Sequence, residues 1–278
     1  MRSLAVTAAD GATTVVEVYG SVGAPVLFLP GLGVPIGYYA PFLTAWAAHG
    51  FVVHALELRG MPQSSISDVR RHDFGYAHAL DVDIPAVLAH TGIGTPFTIA
   101  GHSLGGQLSL LYAGRDRGDV AAVVAIASGS SHPSALPTLA RRLHRRAQIG
   151  MIAGMARTLG HFPGDKVGFG GRQPRTMMAD WAHEARTGQY LLAGSSADDE
   201  AGLADIHVPV FMITLDGDRL ISPAAAALLG ERAADAPLTA LHLPRGEEPY
   251  DHFRWARRQP TVVADTVATW LRAALPET

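Results

Sequence analysis

The tightest constraint on the fold is a handover that takes only three residues. Phe97-Thr98-Ile99-Ala100 is an apolar run that reads as a buried strand, and the stretch from Leu104 to Ala113 reads as a helix packed on a sheet. Between them stand Gly101, His102 and Ser103. So abrupt a turn presses helix backbone against strand backbone. Gly101 and Gly105, two residues to either side of Ser103, remove the β-carbons that would collide there. The Ser103 hydroxyl then stands at a helix N-terminus, where free N–H groups and the helix dipole favour a developing negative charge. A serine placed this way is a candidate nucleophile. The rest of the chain then has to supply a base, an acid and amide donors.

Other segments repeat the same alternation. Thr13 to Tyr19, with Leu4 to Thr7, reads as an antiparallel hairpin around Asp10-Gly11. Pro25 to Leu29 is a fully apolar run, as a strand buried on both faces requires, and Phe51 to Leu56 and Val120 to Ala127 also read as buried strands. Tyr39 to His49 reads as a helix ended by Gly50. Asp73 to His90 reads as largely helical, with Pro85 forcing a kink or restart near Asp83. Strands alternating with helices predict an α/β fold, a parallel sheet with helices on both faces. The alternation stops between Ser128 and about Asp205, in a block with Pro133, Pro137, Pro163, Pro174 and the glycines 168, 170 and 171. It resumes at Val208 to Leu215, followed by a helix from Pro223, a last strand from Leu238 to Leu243 and a terminal helix from Pro260. The expected organisation is one core, residues 1–128 and 206–278, carrying a helical lid at 129–205.

Composition narrows the chemistry. The 278 residues contain no cysteine, which excludes disulfides, thiolate metal sites and a cysteine nucleophile. A net charge of −3 gives no electrostatic footprint for nucleic acid. The longest apolar run is far too short to span a bilayer, and the N-terminus has no apolar leader. The expectation is a cytoplasmic protein without nucleic-acid or membrane partners.

A serine hydroxyl needs a base, and an imidazole titrating near neutrality suits the task. Thirteen histidines leave the choice to position. The base has to lie at the carboxyl edge of the sheet, and His252 follows the last strand in the loop from Pro244 to Phe253. His102, although adjacent to Ser103, points another way and is expected to be structural. The orienting acid is expected from Leu215-Asp216-Gly217-Asp218-Arg219-Leu220-Ile221-Ser222-Pro223. Asp216-Gly217 resembles turn chemistry, while Asp218 lies beyond the turn, so Asp218 is preferred over Asp216, and both over Asp251 and Glu248. Ser222 and Pro223 then read as N-cap and first residue of a helix. Two N–H groups have to converge on an oxyanion. The Leu104 amide, next after the nucleophile, is one; the Leu32 amide, between Gly31 and Gly33, is the other.

These residues resemble the α/β-hydrolase superfamily along nearly the whole chain. The stretch Gly101-His102-Ser103-Leu104-Gly105-Gly106 is similar to its nucleophile elbow. Glu57-Leu58-Arg59-Gly60-Met61-Pro62-Gln63-Ser64 looks like its Asp-x-Arg-Gly-x-Gly-x-Ser segment, with Glu57 and Pro62 departing from it. His252-Phe253 before a terminal helix also fits. The resemblance implies a mostly parallel eight-stranded sheet and a helical lid. It also implies Ser103 as nucleophile, His252 as base, Asp218 as acid, and Leu32 and Leu104 as oxyanion donors, with no metal or organic cofactor. Many members begin the oxyanion loop with His-Gly, where this chain has Pro30-Gly31. An aspartate at the elbow, as dehalogenases and epoxide hydrolases of this fold need, is absent.

The inserted block bears on substrate. One helix is expected from Ala135 to Ala156, with Leu136, Leu139, Leu143, Ala147 and Met151 at helical spacing, and another from Pro174 to Thr187. Met151, Met155, Met177, Met178 and Trp181 either line an acyl pocket or pack the block onto the core. The basic run Arg141-Arg142-Leu143-His144-Arg145-Arg146 either meets the phosphates of coenzyme A or an acidic carrier protein, or is a solvated helix face. The reaction these features imply is hydrolysis of a small-molecule carboxylic ester, lactone or thioester through an acyl-enzyme. The alternatives are acyl transfer or cyclisation by the same residues, and a ligand-binding receptor or scaffold on the same fold.

Overall fold

The computed structural model describes residues 1–115, 117–246 and 250–275; Glu248, one of the lesser acid candidates, lies outside them. The hairpin β1 (Arg2–Thr7) and β2 (Thr13–Tyr19) leads into β3 (Ala24–Leu29), then α1 (Ala40–Ala47) and β4 (Phe51–Leu56). A broken helical run follows: α2 (Tyr76–His78), a π-helical turn over Ala79–Asp83, and α3 (Ile84–Thr91). The wide turn sits just ahead of Pro85, which has no N–H to donate, so the expected interruption near Asp83 is observed. Next come β5 (Phe97–His102), α4 (Leu104–Ala113) and β6 (Val120–Ile126).

Beyond β6 the chain leaves the sheet. It forms α5 (Leu139–Leu159), β7 (His161–Pro163), α6 (Gly164–Val167), β8 (Arg172–Pro174), α7 (Arg175–Thr187) and α8 (Asp199–Ala204). It returns as β9 (Val210–Leu215), α9 (Pro223–Gly230), β10 (Leu238–Leu243), α10 (Trp255–Arg258) and α11 (Pro260–Ala274). The eight-stranded sheet has the order β1-β2-β4-β3-β5-β6-β9-β10, antiparallel at β1-β2 and β2-β4 and parallel elsewhere. β7 and β8 pair apart from it.

The apolar strands are buried on both faces because their side chains alternate between two cores. Leu27 and Leu29 face the core that includes Leu108 of α4, while Val26 and Phe28 face the core that includes Phe42 of α1 and Val267 of α11. This arrangement places β5 next to the middle of the sheet, with its carboxyl end between those of β3 and β6.

The long helix differs from the sequence expectation. It begins at Leu139 rather than Ala135, because Leu136 precedes Pro137 and holds extended backbone. Its buried face is Ile149, Ile152 and Ala156, whereas Leu139, Leu143 and Met151 are 70%, 53% and 54% exposed. α5 packs against α7 and β7, and the apolar side chains Leu139 and Leu143 of its first half are left uncovered.

Two carboxylates tie the inserted elements to the core. Asp73 accepts from the Thr176 N–H at 2.8 Å and from its hydroxyl at 2.8 Å, which caps the start of α7 from outside the helix. Asp180, in α7, accepts from the Tyr76 N–H at 2.9 Å and the Ala193 N–H at 3.0 Å. Burial raises the Asp180 carboxyl to about 6, against these two donors, which favour its ionised form. Because that value lies above an exposed aspartate's, the stability contributed by this group is complete below about pH 4 and lost as pH rises through about 6. The Asp180 side-chain carboxyl is therefore expected to titrate near pH 6 by NMR. Asp180→Ala should cost about 2–4 kcal/mol in urea unfolding, because it leaves two buried donors unpaired. A titration in the ordinary aspartate range would refute the buried strut.

Candidate active site

Ser103 stands between β5 and α4 with φ 54° and ψ −114°. For a residue with a β-carbon, such a backbone costs of order 1–3 kcal/mol. Two contacts from the β6 side hold it: the Ser103 N–H donates to Ile126 O at 2.9 Å, and Ser128 Oγ donates to Ser103 O at 2.7 Å. The flanking glycines do what the sequence requires of them. A β-carbon on Gly101 would lie 2.1 Å from the carbonyl carbon of Gly105, and one on Gly105 would lie 2.0 Å from Leu29 O.

His252 and Asp218 come together. His252 Nδ1 lies 2.8 Å from Asp218 Oδ2, and both side chains are buried. The other carboxylate oxygen accepts from the N–H groups of Leu220 at 2.7 Å and Ile221 at 3.1 Å. With Asp218 accepting, Nδ1 carries the proton and Nε2 is left as the acceptor. Asp216 is exposed, and Asp251 is spent on the N–H groups of Phe253 and Arg254. Among the described acid candidates, Asp218 alone touches His252. Ser222 caps α9 by accepting from the Ala225 N–H, with Pro223 next, as expected.

The loop after β3 is braced by a route that the sequence did not announce. The Gly31 N–H donates to Tyr39 Oη at 3.0 Å, and that hydroxyl lies 2.7 Å from His102 Nδ1. With neutral His102 protonated on Nε2, Tyr39 Oη accepts from Gly31 and donates its own proton to His102 Nδ1. Burial, reinforced by the neighbouring His252 ring, holds the His102 imidazole well below its ordinary range, so it stays a neutral acceptor. Tyr39 thus supports a loop that lacks the common supporting histidine. Further along, Glu57 Oε2 accepts from the Ile36 N–H at 2.7 Å and anchors the loop's far end. Among the described residues, the Leu32 and Leu104 amides donate to no protein acceptor.

Leu32, Ser103, Leu104, Asp218 and His252 all line one cavity of about 560 Å³. All five site residues expected from sequence therefore meet in one place. The cavity walls come from the core and from the inserted elements, including Leu136, Phe169 and Trp181. The glycine cluster lets this insertion approach closely: a β-carbon on Gly33 would lie 2.2 Å from Gly170 O, and one on Gly170 would lie 2.7 Å from Leu32 Cδ2. Of the residues offered as a greasy lining, only Trp181 lies in the wall. Met177 and Met178 are packed into the core, and Met151 is exposed.

The local sequence concealed Tyr39, which reads as an ordinary helix-start aromatic, and the orientation of the arginines on α5. The glycine geometry makes a direct stability prediction. Gly105→Ala forces a backbone collision with β3 and should lower stability by about 1–3 kcal/mol or more. Gly37→Ala, with open space around it, should stay within about 0.5 kcal/mol. Thermal unfolding of the two variants separates them; equal stabilities would mean that the elbow is not space-limited.

Known proteins share this fold. A protein of Mycobacterium phage D29, provisionally named a non-heme haloperoxidase, is 28% identical over 256 residues, covering 87% of this chain and 79% of its own. An esterase from Rhodococcus sp. ECU1013 superposes with a TM-score of 0.62 at 18% identity, covering 99% of this chain and 100% of that one. The thioesterase domain of the curacin biosynthetic pathway superposes with a TM-score of 0.60 at 16% identity, covering 98% and 99%. The model of the alpha/beta hydrolase fold matches residues 24–253. With that match spanning most of its length, the chain belongs to the alpha/beta hydrolase fold family.

Proposed function

We propose that this chain is a serine hydrolase of carboxylic esters, lactones or thioesters that works through an acyl-enzyme. The observation that carries the reading is the 2.8 Å contact from Asp218 to His252 in the cavity that also holds Ser103 and two free amides. In this reading Asp218 keeps the His252 proton on Nδ1 and stabilises the imidazolium that forms. Nε2 takes the Ser103 proton as Oγ attacks the substrate carbonyl. The developing oxyanion accepts from the Leu32 and Leu104 N–H groups. His252 then returns the proton to the departing alcohol or thiol, and water repeats the sequence to free the acid and restore Ser103. The inserted residues 129–205 serve as a lid, since their side chains complete the cavity wall and exclude water from the acyl-enzyme.

Ser103→Ala should abolish turnover of a short p-nitrophenyl ester and labelling by a fluorophosphonate. Asp218→Asn should lower kcat by about 10³–10⁴-fold through the wrong histidine tautomer. Asp216→Asn should stay near the wild type. Unchanged turnover in Ser103→Ala, or the reverse order of the two aspartates, would overturn the assignment.

Tyr39→Phe removes the acceptor for the Gly31 N–H and the donor to His102 while keeping the ring. It should lower kcat about tenfold or more with little change in KM, since the loop it braces acts on the transition state. An equal loss in KM alone would place Tyr39 in substrate binding instead.

A further inference from the structure

The wall of the catalytic cavity carries guanidinium groups that have no counter-ion among the described residues. Arg141 and Arg145 are one helical turn apart on α5 and so share a face, and both line the cavity that contains Ser103. Elsewhere in the molecule, inward-facing arginines are matched. Arg59 pairs with Asp83, Arg115 with Asp199, and Arg232 with Glu200. Among the described residues, no carboxylate pairs with Arg141 or Arg145. Arg141 stands exposed at the rim of the cavity and Arg145 is partly buried in its wall; of their neighbours on the same helix, Arg142 Nε donates to Leu136 O at 2.7 Å, and neither Arg142 nor Arg146 lines the cavity.

Arg145 is the more telling of the pair. It is half-buried, and burial alone pulls its pKa down, with no acid opposing the shift. Removing a cation from water without a partner costs free energy, and no described carboxylate offsets it here. The charge balance of the cavity points the same way. Among the described residues its lining holds Arg141, Arg145 and Arg219 but only one carboxylate, Asp218, whose oxygens are taken by His252, Leu220 and Ile221. His132, also in the wall, lies beside Arg146, and burial and that charge shift it down toward its neutral form. A cavity of about 560 Å³ has room for more than a short acyl chain.

We infer that the substrate carries, besides its reactive carbonyl, an anionic group that Arg141 and Arg145 bind as counter-ion. This rests on the hydrolase reading of Ser103 and narrows it from esters in general to anionic acyl compounds. A guanidinium receives either a carboxylate or a phosphate through paired N–H donors. The anion is therefore either a second carboxylate on the acyl chain or a phosphate on the leaving group, as in a coenzyme A thioester.

Binding to the Ser103→Ala variant tests the charge requirement without depending on turnover. Calorimetry would compare monoethyl esters of linear dicarboxylic acids with uncharged ethyl esters of equal length, and acyl-coenzyme A with the same acyl N-acetylcysteamine thioester. At least one charged series should bind tenfold or more tightly than its neutral partner. Arg141→Gln combined with Arg145→Gln on that background should remove the difference, while Arg142→Gln should leave it in place. Preference in the half-ester series identifies a carboxylate; preference in the coenzyme A series identifies a phosphate. Equal binding of charged and neutral partners, or equal losses for both in the double variant, would overturn the inference. Fluorophosphonate labelling of the wild type judges the hydrolase reading separately. Labelling without charge preference sinks only the anion site, and charge preference without labelling sinks only the nucleophile.

Discussion

The site depends on a contact between two backbones. Where α4 leaves β5, Gly105 rests directly on the carbonyl of Leu29, at the end of β3. That spacing allows the turn at Ser103, whose unusual backbone is held by hydrogen bonds from Ser128 and to Ile126. Leu29 is also the residue before Pro30-Gly31-Leu32, so the contact that positions the serine also fixes where the neighbouring loop begins. Two parts of the site, far apart in sequence, are thus placed by a single steric condition.

Around that contact the protein uses buried neutral hydrogen bonds where surface charge would serve less well. The line from the Gly31 N–H through Tyr39 to His102 works because burial keeps His102 neutral and therefore able to accept. The ring of His102 lies 4.7 Å from that of His252, so two imidazoles pack together with different tasks. One is bound to a carboxylate, the other to a phenol. Their environments, rather than their identities, separate them.

Most of the architecture could be read from the sequence because it follows from local rules. Fully apolar runs such as Val120–Ile126 have one stable setting, a sheet covered on both faces, and Gly101 and Gly105 have a steric reason visible in one dimension. Ser103, His252 and Leu104 were legible for the same reason: each sits at the end of a recognisable element. Asp218 needed a choice between two aspartates, and geometry made it. What stayed hidden was direction. The periodicity of α5 identified a helix but not which of its faces is buried: Ile149, Ile152 and Ala156 are covered, while Leu139, Leu143 and Met151 are not. Tyr39, Asp180 and the inward aspect of Arg145 depend on contacts across long stretches of sequence, which no local pattern encodes.

The glycines at 33 and 170 have a consequence for how the site is kept in readiness. The inserted chain touches the loop bearing the Leu32 amide through close backbone contact, with Leu32 itself against Gly170. Roof and amide therefore share a wall. The surface on which Leu32 and Gly33 rest is thus supplied by residues more than 130 positions away in sequence, so the shape of the cavity wall and the placing of the Leu32 amide are not independent.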